Sequence, residues 1–269
     1  MNRALAVLAL FFHGIAVSAA QPPLRDPQVV VIFADVTSSL TIEQNKEVAE
    51  LTKMVIVHLP PLTTYRVYMI QADPDDKPIK GEIRGADDDD DASVRANEIK
   101  QAADEAVAEI EKRYCEVNFA RDEGPCHNIL PRPQPDHRSC ILEMVEKVSR
   151  SFLKDEKDRP VDLIFISDMV EDCDNTPLAG QSIRLIKDDL TTDTSNISKF
   201  RALHLVGPDV RVTIVRPHVK GGPVESPVRK LTLEQYWEKV FSRFDVNTKT
   251  WWWFDTELPA RFVPDAKAN

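Results

Sequence analysis

Asp35-Val36-Thr37-Ser38-Ser39 is the stretch of this chain best equipped to do chemistry. It offers one carboxylate and three hydroxyls within five residues, directly after the apolar run of residues 29–34. One anionic oxygen converging with neutral ones suits a hard cation such as magnesium, which takes oxygen ligands and tolerates few charges. A second aspartate, Asp168, follows a second largely apolar stretch, residues 161–166. Ser139 stands just ahead of that run, at the start of a helical pattern. Each residue also has a plainer use, because Asp, Ser and Thr are the side chains that cap helix N-termini. Asp35, Ser38, Ser39, Thr41 and Ser139 all lie where a cap is needed, and for any one alone capping is the better reading. Two aspartates at the ends of two apolar strands are harder to explain as caps.

The elements that must position these residues are legible from periodicity. An unbroken apolar run rich in β-branched residues reads as a strand covered on both faces, which fits residues 29–34, and residues 161–166, apolar but for Asp162, read as a second central strand. After the first strand, Ile42, Val48, Leu51, Val55 and Leu59 fall at helical spacing, and Pro60-Pro61 ends that helix. The Asp35 cluster therefore falls in a strand-to-helix turn at the carboxyl edge of a sheet, where open α/β folds bind ligands. Residues 65–70 read as a second strand and 79–84 as a short third one pairing back on it. A helix over 93–114 follows, with Val94, Ile99, Ala103, Ala106, Val107, Ile110 and Tyr114 as its buried stripe.

The five aspartates 87–91 lack the alternation, glycine and closing glutamate of a calcium loop. They read as a solvated run ahead of that helix. The Pro-rich segment 115–139 is irregular. A helix carries Ile141, Leu142, Val145, Val148, Phe152 and Leu153, then comes the Asp168 strand. A helix within 179–190, a strand over 210–215, an amphipathic helix over 231–244 and a strand at Trp251-Trp252-Trp253-Phe254 complete the chain. The tryptophans invite a sugar-binding reading, but packing against the preceding aromatic helix is the commoner use. Alternating strands and helices predict a doubly wound α/β fold, a mostly parallel sheet flanked by helices in three layers. One domain over 29–256 is expected, with an extended lead-in at 21–28 and a tail at 257–269.

Residues 1–20 have a basic start, an apolar middle and Ser18-Ala19-Ala20, the plan of a secretory signal peptide. The expectation is an exported protein, periplasmic or secreted, with no membrane anchor in its mature form. A net charge of −10 argues against nucleic acid as a partner. The four cysteines, Cys115, Cys126, Cys140 and Cys173, have no Cys-x-x-Cys pair and an even count, which favours disulfides over zinc.

In Asp35-Val36-Thr37-Ser38-Ser39 and Asp168 the chain resembles a von Willebrand factor A domain. Such domains carry a metal-ion-dependent adhesion site: Asp-x-Ser-x-Ser after the first strand, a threonine from a later loop, and an aspartate after the fourth strand. Here Thr37 replaces the first serine, Ser139 is the nearest equivalent of the loop threonine, and Met169 follows Asp168 where glycine is usual. The resemblance implies a metal held by Asp35, Thr37, Ser39, Ser139 and Asp168. The ion would be magnesium, or else manganese or calcium, with one position left for a carboxylate of a protein partner. In the topology it implies, the 93–114 helix returns to the carboxyl edge, so Cys115–Cys126 and Cys140–Cys173 are the expected pairs among three connectivities. Two alternatives stand beside it: a metal-free scaffold of the same fold, and a phosphatase-like hydrolase. The hydrolase needs Asp-x-Asp, and Thr37 occupies the place of its general acid, so a non-enzyme is expected.

Overall fold

The computed structural model describes residues 29–37, 40–71, 77–85, 92–118, 126, 129, 139–156, 159–169 and 210–217. It also describes Glu234, Gln235, Trp237, Glu238, Val240, Phe241 and the backbone of Trp251–Asp255. The expected signal peptide, lead-in, 179–190 helix and tail lie outside these residues, as do the aspartates 87–91.

Among the described residues six strands form one sheet: β1 (Val29–Asp35), β2 (Thr64–Ile70), β3 (Ile79–Glu82), β4 (Val161–Ile166), β5 (Val210–Arg216) and β6 (Trp251–Asp255). Their order is β3-β2-β1-β4-β5-β6. Only the β2–β3 pair is antiparallel, a hairpin in which Thr64 faces Glu82. The other pairs are parallel. β1 lies in the middle, and every one of its residues is buried.

The apolar run of β1 is continuous because both faces are covered. Val29, Val31 and Phe33 pack into one layer with Leu163, Phe165 and helix α3 (Ile141–Ser151). Val30, Ile32 and Ala34 pack into the other with helices α1 (Ile42–Val57) and α2 (Ala92–Val117). In the first layer the Phe33 and Phe165 rings, on paired positions of β1 and β4, stack with centroids 4.5 Å apart. Such a pair contributes about 0.5–1.5 kcal/mol beyond its buried area. Trp237 and Phe241, both helical, are buried in the same layer, as the aromatic helix predicted.

α1 starts on a capping box, with Thr41 accepting from the Gln44 N–H and the Gln44 side chain accepting from the Thr41 N–H. This satisfies two backbone donors that a helix start leaves free. α2 differs from its predicted stripe at one end, where Val94 is 52% exposed. Its buried residues begin only at Ala103. At 26 residues the helix is about 39 Å long, while a seven-residue strand such as β1 spans only about 23 Å. The first turns therefore have no sheet to cover. The helix also runs past Tyr114 to Val117, which carries Cys115 and the following Asn118 to the site edge.

Candidate metal centre

Asp35 is the last residue of β1 rather than part of the turn, and it is fully buried. It pairs with Ile70 on β2, whereas the β1–β4 ladder stops at Ala34 and Ile166. The carboxylate thus stands where β1 and β4 part. There the chain winds outward to either side, the crevice in which doubly wound folds place ligands. Alternation puts Asp35 on the face of Val31 and Phe33, and Ser167 on the matching face beyond Phe165.

The side chains meet accordingly. Thr37 donates twice to Asp35 Oδ1, from its backbone N–H at 2.9 Å and its hydroxyl at 2.6 Å. Ser167 donates its hydroxyl to Asp35 Oδ2 at 2.7 Å. Ser139 donates to the Thr37 hydroxyl at 2.8 Å. The Met169 N–H donates to Ser167 Oγ at 2.9 Å. Asp35, Thr37, Ser139 and Ser167 are all buried.

Of the five expected ligands, the structure brings Asp35, Thr37 and Ser139 into one hydrogen-bonded chain. Asp168 follows Ser167 at the same strand end and is half-buried. Ser39 lies outside the described residues. The capping alternative holds for Thr41 and fails for Asp35, which ends β1, and for Ser139. Thr41 caps α1, and Cys140 rather than Ser139 holds the N-cap position of α3. Ser167 was missed from sequence, although its parity with Phe165 places it on the face of Asp35.

Burial pushes the Asp35 carboxyl above its ordinary range, and the bonds from the Thr37 hydroxyl, the Ser167 hydroxyl and the Thr37 N–H pull it partly back. A carboxylate out of water calls for a compensating charge or a proton. The surrounding oxygens suit a small hard cation. Neighbouring ligands of an octahedral magnesium at 2.0–2.1 Å lie about 2.9 Å apart. The Thr37 oxygen already sits 2.6 Å from Asp35 and 2.8 Å from Ser139. Among the described residues no three His, Cys, Asp or Glu side chains cluster as a metal group, and the side chains gathered at Asp35 are hydroxyls.

Met169, just past Asp168, has φ 61°, the left-handed region in which glycine alone is comfortable. The backbone thus adopts a conformation that a glycine would take without strain. Met169 is buried, and its carbonyl accepts from Trp237 Nε1 at 2.9 Å. Cys115 and Cys126 form the expected disulfide, with Cα atoms 5.1 Å apart. Cys140 is also disulfide-bonded, and Cys173 lies outside the described residues.

No family model and no curated protein matches the sequence. Among solved structures, the chain is similar to a von Willebrand factor type A protein from Catenulispora acidiphila at 12% identity and TM-score 0.38, over 79% of this chain and 42% of that one. It is similar to a human COPII-coat protein at 8% identity and TM-score 0.44, over 86% of this chain and 29% of that one. It is also similar to proximal thread matrix protein 1 of the mussel byssus, with a zinc-occupied adhesion-site motif, at 11% identity and TM-score 0.34, over 70% of this chain and 37% of that one. The chain spans less than half the length of each of these three. Its fold is von Willebrand factor A-like, as its own sheet order and antiparallel β3 define it.

Proposed function

We propose that this chain is an exported binding module that holds a divalent cation at the edge of its sheet and engages a protein partner there. The carrying observation is the buried convergence of the Asp35 carboxylate with the hydroxyls of Thr37 and Ser139, drawn from segments 102 residues apart. Asp35 supplies the negative charge, Thr37 and Ser139 the neutral oxygens, with Asp168 and Ser39 completing the set. Magnesium fits best by donor hardness, with manganese and calcium as alternatives. When bound, the cation would supply an electrophilic position that a partner's carboxylate fills, since few carboxylates of this chain neutralise it.

Binding rather than hydrolysis is supported by Thr37. It stands where a phosphatase-like enzyme needs its general acid, and its hydroxyl is committed to Asp35. The Cys115–Cys126 disulfide supports export, because such bonds persist in oxidising compartments. No helix among the described residues is long and apolar enough to cross a membrane. A second reading, a metal-free scaffold, is favoured by one feature: both Asp35 oxygens already have donors. Capture of a partner from the exporting cell that is lost with chelator and restored by magnesium supports the first reading. Capture indifferent to chelator supports the second.

A further inference from the structure

The turn between β1 and α1 is held from behind by the last turn of α2. The Tyr114 hydroxyl donates to the Leu40 carbonyl at 3.2 Å. The Asn118 side-chain amide donates to the Val36 carbonyl at 3.4 Å and to the Tyr114 carbonyl at 2.9 Å. Both side chains are buried, and they reach across 74 and 82 residues of sequence. The two carbonyls they hold bracket Thr37, whose own carbonyl accepts from the Leu40 N–H at 3.3 Å. Between Tyr114 and Asn118 lies Cys115, tied to Cys126 by the disulfide.

We propose that Tyr114 and Asn118 are positioning residues for the cation site. They fix the backbone on either side of Thr37, so that its hydroxyl meets Asp35 and Ser139 before a cation arrives. This assignment rests on the reading of Asp35 and Thr37 as cation ligands. The physical reason is pre-organisation: a turn that must be ordered on binding charges that ordering against affinity. Each of these bonds ends on a main-chain carbonyl. Their effect is exerted through the main chain, where a buried carbonyl needs a donor. The disulfide keeps the turn that carries both residues in place, limiting the freedom left when either bond is lost.

The test compares wild type, Tyr114→Phe and Asn118→Ala as full mature chains with disulfides intact. Tyr114→Phe keeps the ring in its packing and removes only the hydroxyl. Amide hydrogen exchange without metal is expected to quicken about tenfold at Thr37 and Leu40, the effect of one lost hydrogen bond, with amides of β4 and β5 unchanged. Manganese binding, read by calorimetry, is expected to weaken by about the same factor in each variant. Unchanged exchange at Thr37 and Leu40, or equal quickening across the whole sheet, overturns the assignment. Wild type and variants that bind manganese equally well also overturn it, leaving the cation reading intact. Wild type that binds no manganese overturns both.

Discussion

The Ser139 hydroxyl donates to the Thr37 hydroxyl at 2.8 Å, joining the segment ahead of α3 to the turn after β1. Neither residue caps a helix, and both are buried. Ser139→Ala should therefore cost about 1 kcal/mol in urea denaturation, the net worth of one hydrogen bond. It should weaken cation binding as well. Ser139→Thr, which keeps the hydroxyl, should retain most of that binding. A Ser139→Ala protein with unchanged stability and unchanged cation affinity would assign the contact no role.

Asp35 contributes to the pH dependence of the metal-free form. Burial raises its carboxyl above the ordinary 3.8 in the folded protein. Between the unfolded and folded pKa values the folded state binds more protons. Stability then falls as pH rises from about 3.8 through the folded pKa and levels off above it. Asp35→Asn removes this fall while keeping an acceptor for Thr37. With chelator present, the variant should gain on wild type as pH rises through that window. Urea denaturation at several pH values reads the difference, and a wild type that gains on the variant would contradict the raised pKa.

Met169 separates backbone from side-chain effects. Met169→Ala loses a buried side chain and keeps the unfavourable φ, costing about 2–5 kcal/mol. Met169→Gly loses the same side chain but relieves the left-handed backbone. The glycine variant should be the more stable of the two, by about 1 kcal/mol. That reverses the usual order of alanine over glycine. Thermal or urea unfolding of both decides it, and alanine ahead of glycine would contradict the left-handed backbone at this position.

Non-reducing peptide mapping of the purified protein should return Cys115–Cys126 and Cys140–Cys173, each stabilising by about 2–4 kcal/mol. A peptide joining Cys115 to Cys140 would contradict the first pair.

Much of the fold was legible because its central strands are largely apolar. Residues 29–34 are apolar on both faces, and residues 161–166 are apolar but for Asp162, as a central strand requires. The end of α2 was less legible: helix periodicity shows a stripe but not how far the sheet beneath it extends, so Val94 was expected to be buried. Asp35 was read as a turn residue. In the structure it is a buried strand residue that accepts three hydrogen bonds. Truncation to alanine would strand those donors, which is why asparagine is the sharper substitution. Ser167 was legible in principle by alternation. Tyr114 and Asn118 were not, since nothing local in α2 shows that its last turn meets the turn after β1.

Calorimetric titration of magnesium and manganese into the metal-free protein is the most direct test of the cation site. Wild type should bind one ion, and its melting temperature should rise with cation concentration by mass action. Asp35→Asn should lose both effects while remaining folded by circular dichroism. Absence of binding to wild type, or equal binding to the asparagine variant, would contradict the site at Asp35, Thr37 and Ser139 and leave the metal-free scaffold in its place.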